Sequence, residues 1–450
     1  MKRRKQRKEE LIMADEMMLA GKPKSQFFKL PFENKTRILR LNVLDSHTEL
    51  RAGNRPYHMV ERKVLSFKKG ILTIRVKLEN EPPVKVYLKV EYDHLLVSCN
   101  IDTDENYLGR YAYRTLRAML WNEYHDFQQY YWPECFNEAT GRSRYLEVIC
   151  DRYGVDIRLK KEFKGFFRPD DYFLHISERK VLERKNVNDV LATLNPEYLI
   201  GYCLANTDPV RFHSNHYPFL IPYSFSLNAD NKTVKSFTGF LFEEDDSIEQ
   251  SELSENQTEL NSICYEMKKI ARIQFREYGD SDERSDEIDD LNFSNKRKIF
   301  ELFNKALPML STQPFTHYLF TYGMRNIQKR PMKKDMQVAR FSVEVPLLNF
   351  LLSDKGDYYE LKLRFKVKGK VFHFCEDRIA MFFIGSSSNP TVWYLLECEP
   401  DSRVVLFFSR KNFKIQVPKG YYKEHFKPYV EEIKKHYELE IKYKHRHGRD

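Results

Sequence analysis

Apolar and polar positions alternate through residues 71–90. Ile74, Val76 and Leu78 alternate with Thr73, Arg75 and Lys77, and past Pro82-Pro83, Val84, Val86, Leu88 and Val90 alternate with Lys85, Tyr87 and Lys89. A period of two with one polar side predicts half-buried antiparallel strands. Lys68-Lys69-Gly70 and Glu81-Pro82-Pro83 supply the turns, and Ile38, Leu41 and Val43 open the β pattern from about 37. Beyond Cys99 the spacing becomes helical. Leu108, Ala112, Leu116, Met119 and Leu120 make one apolar stripe, which predicts a helix over about 106–128. A second helical piece is predicted over 143–153, stopping at Gly154.

Residues 155–242 read as mixed, with a short helix at Val187–Leu194 and a buried strand at Leu199–Ala205. A hairpin-like pair follows over 218–242, turning around Asn228–Lys232. Two acidic runs, 243–255 and 279–290, read as solvated loops, or as decoys for a basic groove. Between them a helix at about 257–277 carries Ile263, Met267, Ile270 and Ile273 on one face, and Ser294 is placed to cap a helix that Pro308 closes. From about 336 the chain is β again. Predicted strands are Val338–Val345, Tyr359–Val367, Val371–Phe374, Ile379–Ile384, Trp393–Leu396, Val404–Phe408 and Phe413–Val417, closed by a helix at Tyr422–His436. No repeat of fixed period occurs.

This order of elements predicts an α+β protein of antiparallel sheets with packed helices in several subdomains. A length of 450 residues agrees with about three domains of roughly 150 residues each. The expected division is a basic segment at 1–30, an α+β domain at 31–155, a mixed middle domain with acidic loops at 156–335, and a β-rich domain with a terminal helix at 336–450. Phe and Tyr are abundant (33 and 28) and Gly is scarce at 16, which favours aromatic-packed sheets over a glycine-rich nucleotide fold.

Charge adds a partner class. With 75 Lys+Arg against 65 Asp+Glu the net charge is +10, which favours polyanions through long-range attraction. Mean hydropathy is −0.63, and no stretch approaches the roughly 18 apolar residues of a membrane span. Seven scattered cysteines without a CxxC pair, and a basic N-terminus without an apolar core, predict a reduced, cytoplasmic protein with no membrane association.

Most catalytic patterns are missing. Gly21-Lys22 and Gly369-Lys370 lack the upstream glycine and following hydroxyl of a phosphate-binding loop, and Asp15-Glu16 has no buried strand before it. No G-x-S-x-G elbow occurs. His213 and His216 near Cys203, and His373 near Cys375, lack further ligands at metal-site spacing, so neither metal nor cofactor is expected. Basic residues interleaved with aromatics are the positive signal. Arg158, Lys160, Lys161, Lys164 and Arg168 surround Phe163, Phe166 and Phe167; Arg325, Lys329, Arg330, Lys333 and Lys334 lie near Tyr322; Lys442, Lys444, Arg446 and Arg449 form a tail. Such clusters suit phosphate contacts combined with base stacking.

Residues 95–121, LLVSCNIDTDENYLGRYAYRTLRAMLW, have the strand–loop–helix frame of a zinc knuckle in which only Cys99 remains of the ligands. With 51–99, 199–205, 218–241 and the β-rich unit 338–417, this resembles the region preceding the motor in bacterial Swi/Snf-type DNA helicases that carry a SWIM zinc finger. Cys99 matches the first zinc ligand of that family, but Ile101 stands at the second position and Gly109 to Tyr111 at the Cys-x-His region. The resemblance therefore implies a degenerate finger without zinc, and no ATPase motor within this chain. Together these expectations give a non-catalytic nucleic-acid-associated accessory module, contacting DNA through backbone phosphates and partnering a separate Swi/Snf-type motor polypeptide. The alternatives are a protein-interaction scaffold without nucleic-acid binding, and a hydrolase with its site around His213 and His216.

Overall fold

The alternating run 71–90 becomes the middle of a five-stranded sheet. The computed structural model describes residues 27–442 apart from 34–35, 49–58, 121, 152–153, 169–170, 185–198, 209–213, 231, 243–252, 277–285, 323 and 328. The protein is α+β, with antiparallel and mixed sheets, and divides into two compact units, Met1–Arg168 and Pro169–Asp450. Among the described residues no helix is long and apolar enough to cross a membrane. The expected helix Val187–Leu194 and the residues Asp15-Glu16, Gly21-Lys22 and His213 lie outside them.

In the first unit, β1 (Phe28–Pro31), β3 (Met59–Lys68), β4 (Ile71–Leu78), β5 (Val84–Val90) and β6 (His94–Cys99) form an antiparallel sheet in the order β1-β6-β5-β4-β3. Leu72, Ile74, Val76, Val86, Leu88, Leu95 and Val97 are buried, each worth about 1.5–3 kcal/mol of transfer free energy. Helix α2 (Arg110–Met119) packs on this sheet, and α1 (Leu41–Ser46) beside it. Arg62 stands opposite Val76 and donates from Nη1 to the Ala118 carbonyl at 2.8 Å, which puts α2 on the Val76 face.

Helix α2 is shorter than the predicted 106–128. The Asn106 and Tyr107 amides are taken by the Asp104 carboxylate at 2.9 and 3.0 Å, and Tyr124–Asp126 is strand β7, paired with β2 (Ile38–Arg40). The predicted helix 143–153 is a hairpin of β8 (Leu146–Cys150) and β9 (Val155–Leu159). Asp151 and Gly154 turn it, with Gly154 N–H donating to Asp151 Oδ1 at 3.1 Å.

The second unit opens with a mixed sheet in the order β13-β12-β10-β15-β16. Its strands are β10 (Ile200–Asp208), β12 (Phe219–Leu227), β13 (Val234–Phe240), β15 (Thr316–Tyr322) and β16 (Met336–Val338), and only the β10–β15 pairing is parallel. The strand at 199–205 and the hairpin over 218–242 are thus present as expected. Gly201 on β10 is required, because a Cβ there would meet Cζ of Tyr223 at 2.2 Å and the Phe315 carbonyl at 2.7 Å. A short ribbon of β11 (Ser214–His216) and β14 (Gln274–Arg276) lies beyond.

Helix α3 (Glu255–Ala271) starts at a capping box between Ser254 and Gln257, two residues before its expected start, and ends before the expected 277, where β14 takes over. Helix α4 (Asp286–Thr312) begins inside the second acidic run, so that run is partly helical, Ser294 is not its cap, and Pro308 lies within it. One core joins these elements, from Tyr202, Phe219 and Met267 through Phe300 and Phe303 to Phe341, Phe383 and Trp393.

Two further sheets follow. One has the order β17-β23-β22-β21, from β17 (Arg340–Ser342), β21 (Phe374–Ala380), β22 (Phe383–Ser386) and β23 (Val392–Leu395). The other has the order β20-β19-β18-β25, from β18 (Leu347–Asp354), β19 (Tyr358–Val367), β20 (Lys370–Phe372) and β25 (Glu438–Lys442), with β24 (Lys414–Pro418) added on β19. The strand predicted over Ile379–Ile384 is broken by a turn at Met381, whose φ is 46°. The strand predicted at Val404–Phe408 is helix α5 (Glu399–Ser409), which has Pro400 at its start and Glu399 and Asp401 in its first turn. A π-helical turn, Tyr422–Phe426, leads into α6 (Lys427–His436).

The stretch 171–184 has no regular secondary structure, and two half-buried arginines fasten it to the rest of the second unit. Arg179 binds Asp401 through Nε at 3.0 Å and Nη2 at 3.1 Å, pairs with Glu397, and donates to the His436 carbonyl at 3.0 Å. Arg184 donates to the carbonyls of Val343, Leu395 and Leu396 and to Asn304 Oδ1.

Candidate nucleic-acid interface

The register of the first sheet sorts its side chains onto two faces. Opposite the α2 face, Lys63 pairs with Arg75 and Arg75 with Lys85, so three cations stand in one cross-strand row. A second row runs Lys68, Ile71, Lys89, Leu96, Lys29 across all five strands. Between them lies a hydroxyl row of Ser66, Thr73, Tyr87 and Ser98. Lys29, Lys63 and Arg75 are exposed, Lys68, Lys85 and Lys89 half-buried, and Thr73, Tyr87 and Ser98 buried. Burial lowers the pKa of the Lys85 ammonium. Carboxylates are sparse among these rows: Glu61 stands opposite Lys77, and Glu91 pairs with Lys89.

Neighbouring strands are about 4.8 Å apart, so each cation row places charges at regular short steps. Like charges directly opposite in a sheet destabilise it, by about 0.2–1 kcal/mol per pair. A polyanion laid across the rows reverses the sign of that term.

The sequence-predicted clusters are placed differently. Arg158, on β9, is exposed and ion-paired with Asp156 at 2.7 Å. Lys160 donates to the Arg144 carbonyl at 2.8 Å, Lys161 and Lys164 are exposed, and the Arg168 guanidinium lies 4.9 Å over the Trp132 ring. Phe163, Phe166 and Phe167 are buried, with Phe163 and Phe166 packed on Tyr145, so none of these three rings offers a face to a base. The β8–β9 hairpin carrying Arg158 packs beside β3, the strand of Lys63 and Lys68.

In the second unit, Arg330 Nε donates to the Phe237 carbonyl at 2.7 Å and Lys333 Nζ to the Val234 carbonyl at 2.9 Å, so both brace strand β13. Arg325, Lys329 and Lys334 are exposed. The cations of 158–168 belong to one unit and those of 325–334 to the other. Of the tail, Lys442 ends β25, and Lys444, Arg446 and Arg449 lie outside the described residues. Sequence clustering missed the two sheet rows, whose only prior signal was a basic residue at alternate positions of 75–89.

The loop after β6, where the resemblance implies a lost zinc site, is organised by oxygen ligands of the backbone. Asp102 Oδ2 accepts the Arg110 amide at 2.9 Å and Thr103 Oγ1 the Gly109 amide at 3.0 Å, capping α2. Gly109 is obligatory, because a Cβ would lie 2.1 Å from the Asp102 carbonyl oxygen. Cys99 is buried, and burial pushes its thiol up to about 11, while Ile101 is 59% exposed. No group of three metal-ligating side chains occurs among the described residues. Compared with family models, curated proteins and solved structures, the chain matches none.

Proposed function

We propose that this protein is a non-catalytic module that holds double-stranded nucleic acid by its phosphate backbone on the cationic sheet face of the first unit. The observation that carries this reading is the row Lys63–Arg75–Lys85 together with the parallel row Lys68–Lys89–Lys29. Four residues along a strand separate the rows, about 13 Å, comparable with the roughly 12 Å width of a major groove, so each row faces the phosphates of one strand. With the Phe163, Phe166 and Phe167 rings buried, support favours a duplex over a stacked single strand. Phosphate contacts position the partner without reading its sequence. Partnership with a separate motor polypeptide rests on the resemblance alone.

The test is a titration of a random-sequence duplex against salt. If the six cations each displace one counterion, log affinity falls with log salt at a slope of about −5, and K63E/R75E reduces that slope and weakens binding to unrelated sequences alike. A flat salt dependence overturns the proposal and favours a protein-interaction scaffold.

A further inference from the structure

Strand β25 (Glu438–Lys442) pairs in parallel with β18, and no described strand pairs with its other side. A free edge presents unmatched amides and carbonyls, which proteins usually cover or blunt. The outer strand β13 is covered in that way, because Arg330 and Lys333 take the carbonyls of Phe237 and Val234. Among the described residues no side chain from outside the sheet braces β25.

The register sorts its five side chains onto two faces. Leu439 stands beside Phe350 and Ile441 beside Leu352, on the core face, yet Ile441 is 46% exposed and Leu439 only half-buried. Phe350 and Leu352 are buried and continue to Leu363 and Leu361 on β19. The apolar rows therefore run to the margin of the sheet and stop in solvent. Glu438, Glu440 and Lys442 lie on the opposite face. The two carboxylates that could blunt this edge are already paired within the sheet: Lys366 binds Glu438 at 2.6 Å and Glu440 at 3.0 Å, and Arg364 binds Glu440 at 2.6 Å. Lys442 is exposed and has no carboxylate partner among the described residues.

The strand sequence Glu-Leu-Glu-Ile-Lys complements itself when reversed about Glu440. Two copies laid antiparallel set Glu438 opposite Lys442 and Leu439 opposite Ile441, at both ends of the seam. Glu440 meets its own copy, and each of the two keeps Arg364 and Lys366 as counter-charges. We propose that β25 pairs with the β25 of a second copy of this chain, antiparallel about Glu440, so that one sheet runs through a two-fold dimer. The apolar row then continues from Leu363, Phe350 and Leu439 into Ile441, Leu352 and Leu361 of the second copy. Backbone hydrogen bonds supply affinity, and the Glu438–Lys442 pairs fix direction and register. The seam has the five residues of β25 on each side, against the roughly 20–30 of a standard interface, so the dimer is weak and forms as concentration rises. It lies in the second unit and does not rest on duplex binding by the first.

Sedimentation velocity of the full chain over about 1–100 μM tests this, and a shift from monomer toward dimer with concentration is expected. K442E and E438K each set like charges opposite at both ends of the seam and weaken the dimer about tenfold. Mixed in equal amounts the two variants restore it, because every reversed charge then faces an opposite one. Recovery on mixing separates pairing across this seam from misfolding of either variant. A chain that stays monomeric throughout overturns the inference and leaves the edge to a strand of another protein. A dimer insensitive to both variants, or no recovery on mixing, also overturns it and places the contact elsewhere.

Discussion

At the residue scale, His317 shows what burial does to chemistry. It lies 6% exposed on β15, with Nδ1 2.6 Å from the Tyr223 hydroxyl and its ring edge-on to Tyr223 and Phe237. Burial brings its pKa down to about 4. The unfolded chain, with a pKa near 6.5, therefore binds more protons than the folded one between the two values. Stability from this group is fully present above about pH 6.5 and is lost as pH falls toward 4, on the order of 3 kcal/mol in all. Urea unfolding from pH 7 to 4 should show that decline, and H317Q should flatten it; an unchanged slope in H317Q refutes the assignment. No catalytic role is needed for this histidine. Its partner Tyr223 reaches it across Gly201, and the glycine in the sequence offered no hint of the ring that requires it.

Among single elements, legibility followed the length of chain needed to see the signal. Strands β4 and β5 were readable because their period of two is written within seven or eight consecutive residues. Helix α5 has the composition of a strand in Val404, Val405, Leu406, Phe407 and Phe408, whereas Pro400 with acidic neighbours is the stronger, helical signal. The β8–β9 hairpin, expected as helix over 143–153, turns at Asp151-x-x-Gly154, a local turn signal that argues against a helix running through it. The cation clusters 158–168 and 325–334 were visible as contiguous runs. The sheet rows were not, because Lys63, Arg75 and Lys85 become neighbours only once the register is known.

The α2 cap belongs to this scale too. Asp102 is eight residues from the amide it accepts, outside any local capping pattern. D102A should destabilise the first unit by about 1 kcal/mol, whereas D102N, which keeps an acceptor oxygen, should lose less. Hydrogen exchange at the Arg110 amide reads the difference; equal protection in D102A and the parent would show the cap to be idle.

For the whole molecule, the second unit depends on contacts between distant parts of the chain. Arg179 joins the irregular stretch 171–184 to Asp401 on α5 and to the end of α6, and Tyr437 adds a hydrogen bond to Asp401 at 3.0 Å. Asp401 is fully buried, so removing its partner leaves a charge stranded in the interior. R179M is expected to cost about 3–5 kcal/mol in chemical denaturation, and R179M/D401N should recover a good part of it, because the stranded charge is then gone. A double variant no better than the single one would place the loss in packing instead.

The parallel pair β10–β15 sets a limit on how quickly this architecture can assemble. Tyr202 meets Thr316, and Asp208 meets Tyr322, so the centre of that sheet closes a loop of over a hundred residues. Its hairpins form from neighbours, but their central seam waits for a slow, entropically costly search. A nascent polypeptide interrupted anywhere inside that interval exposes the unpaired margin of β10, a template for aberrant association.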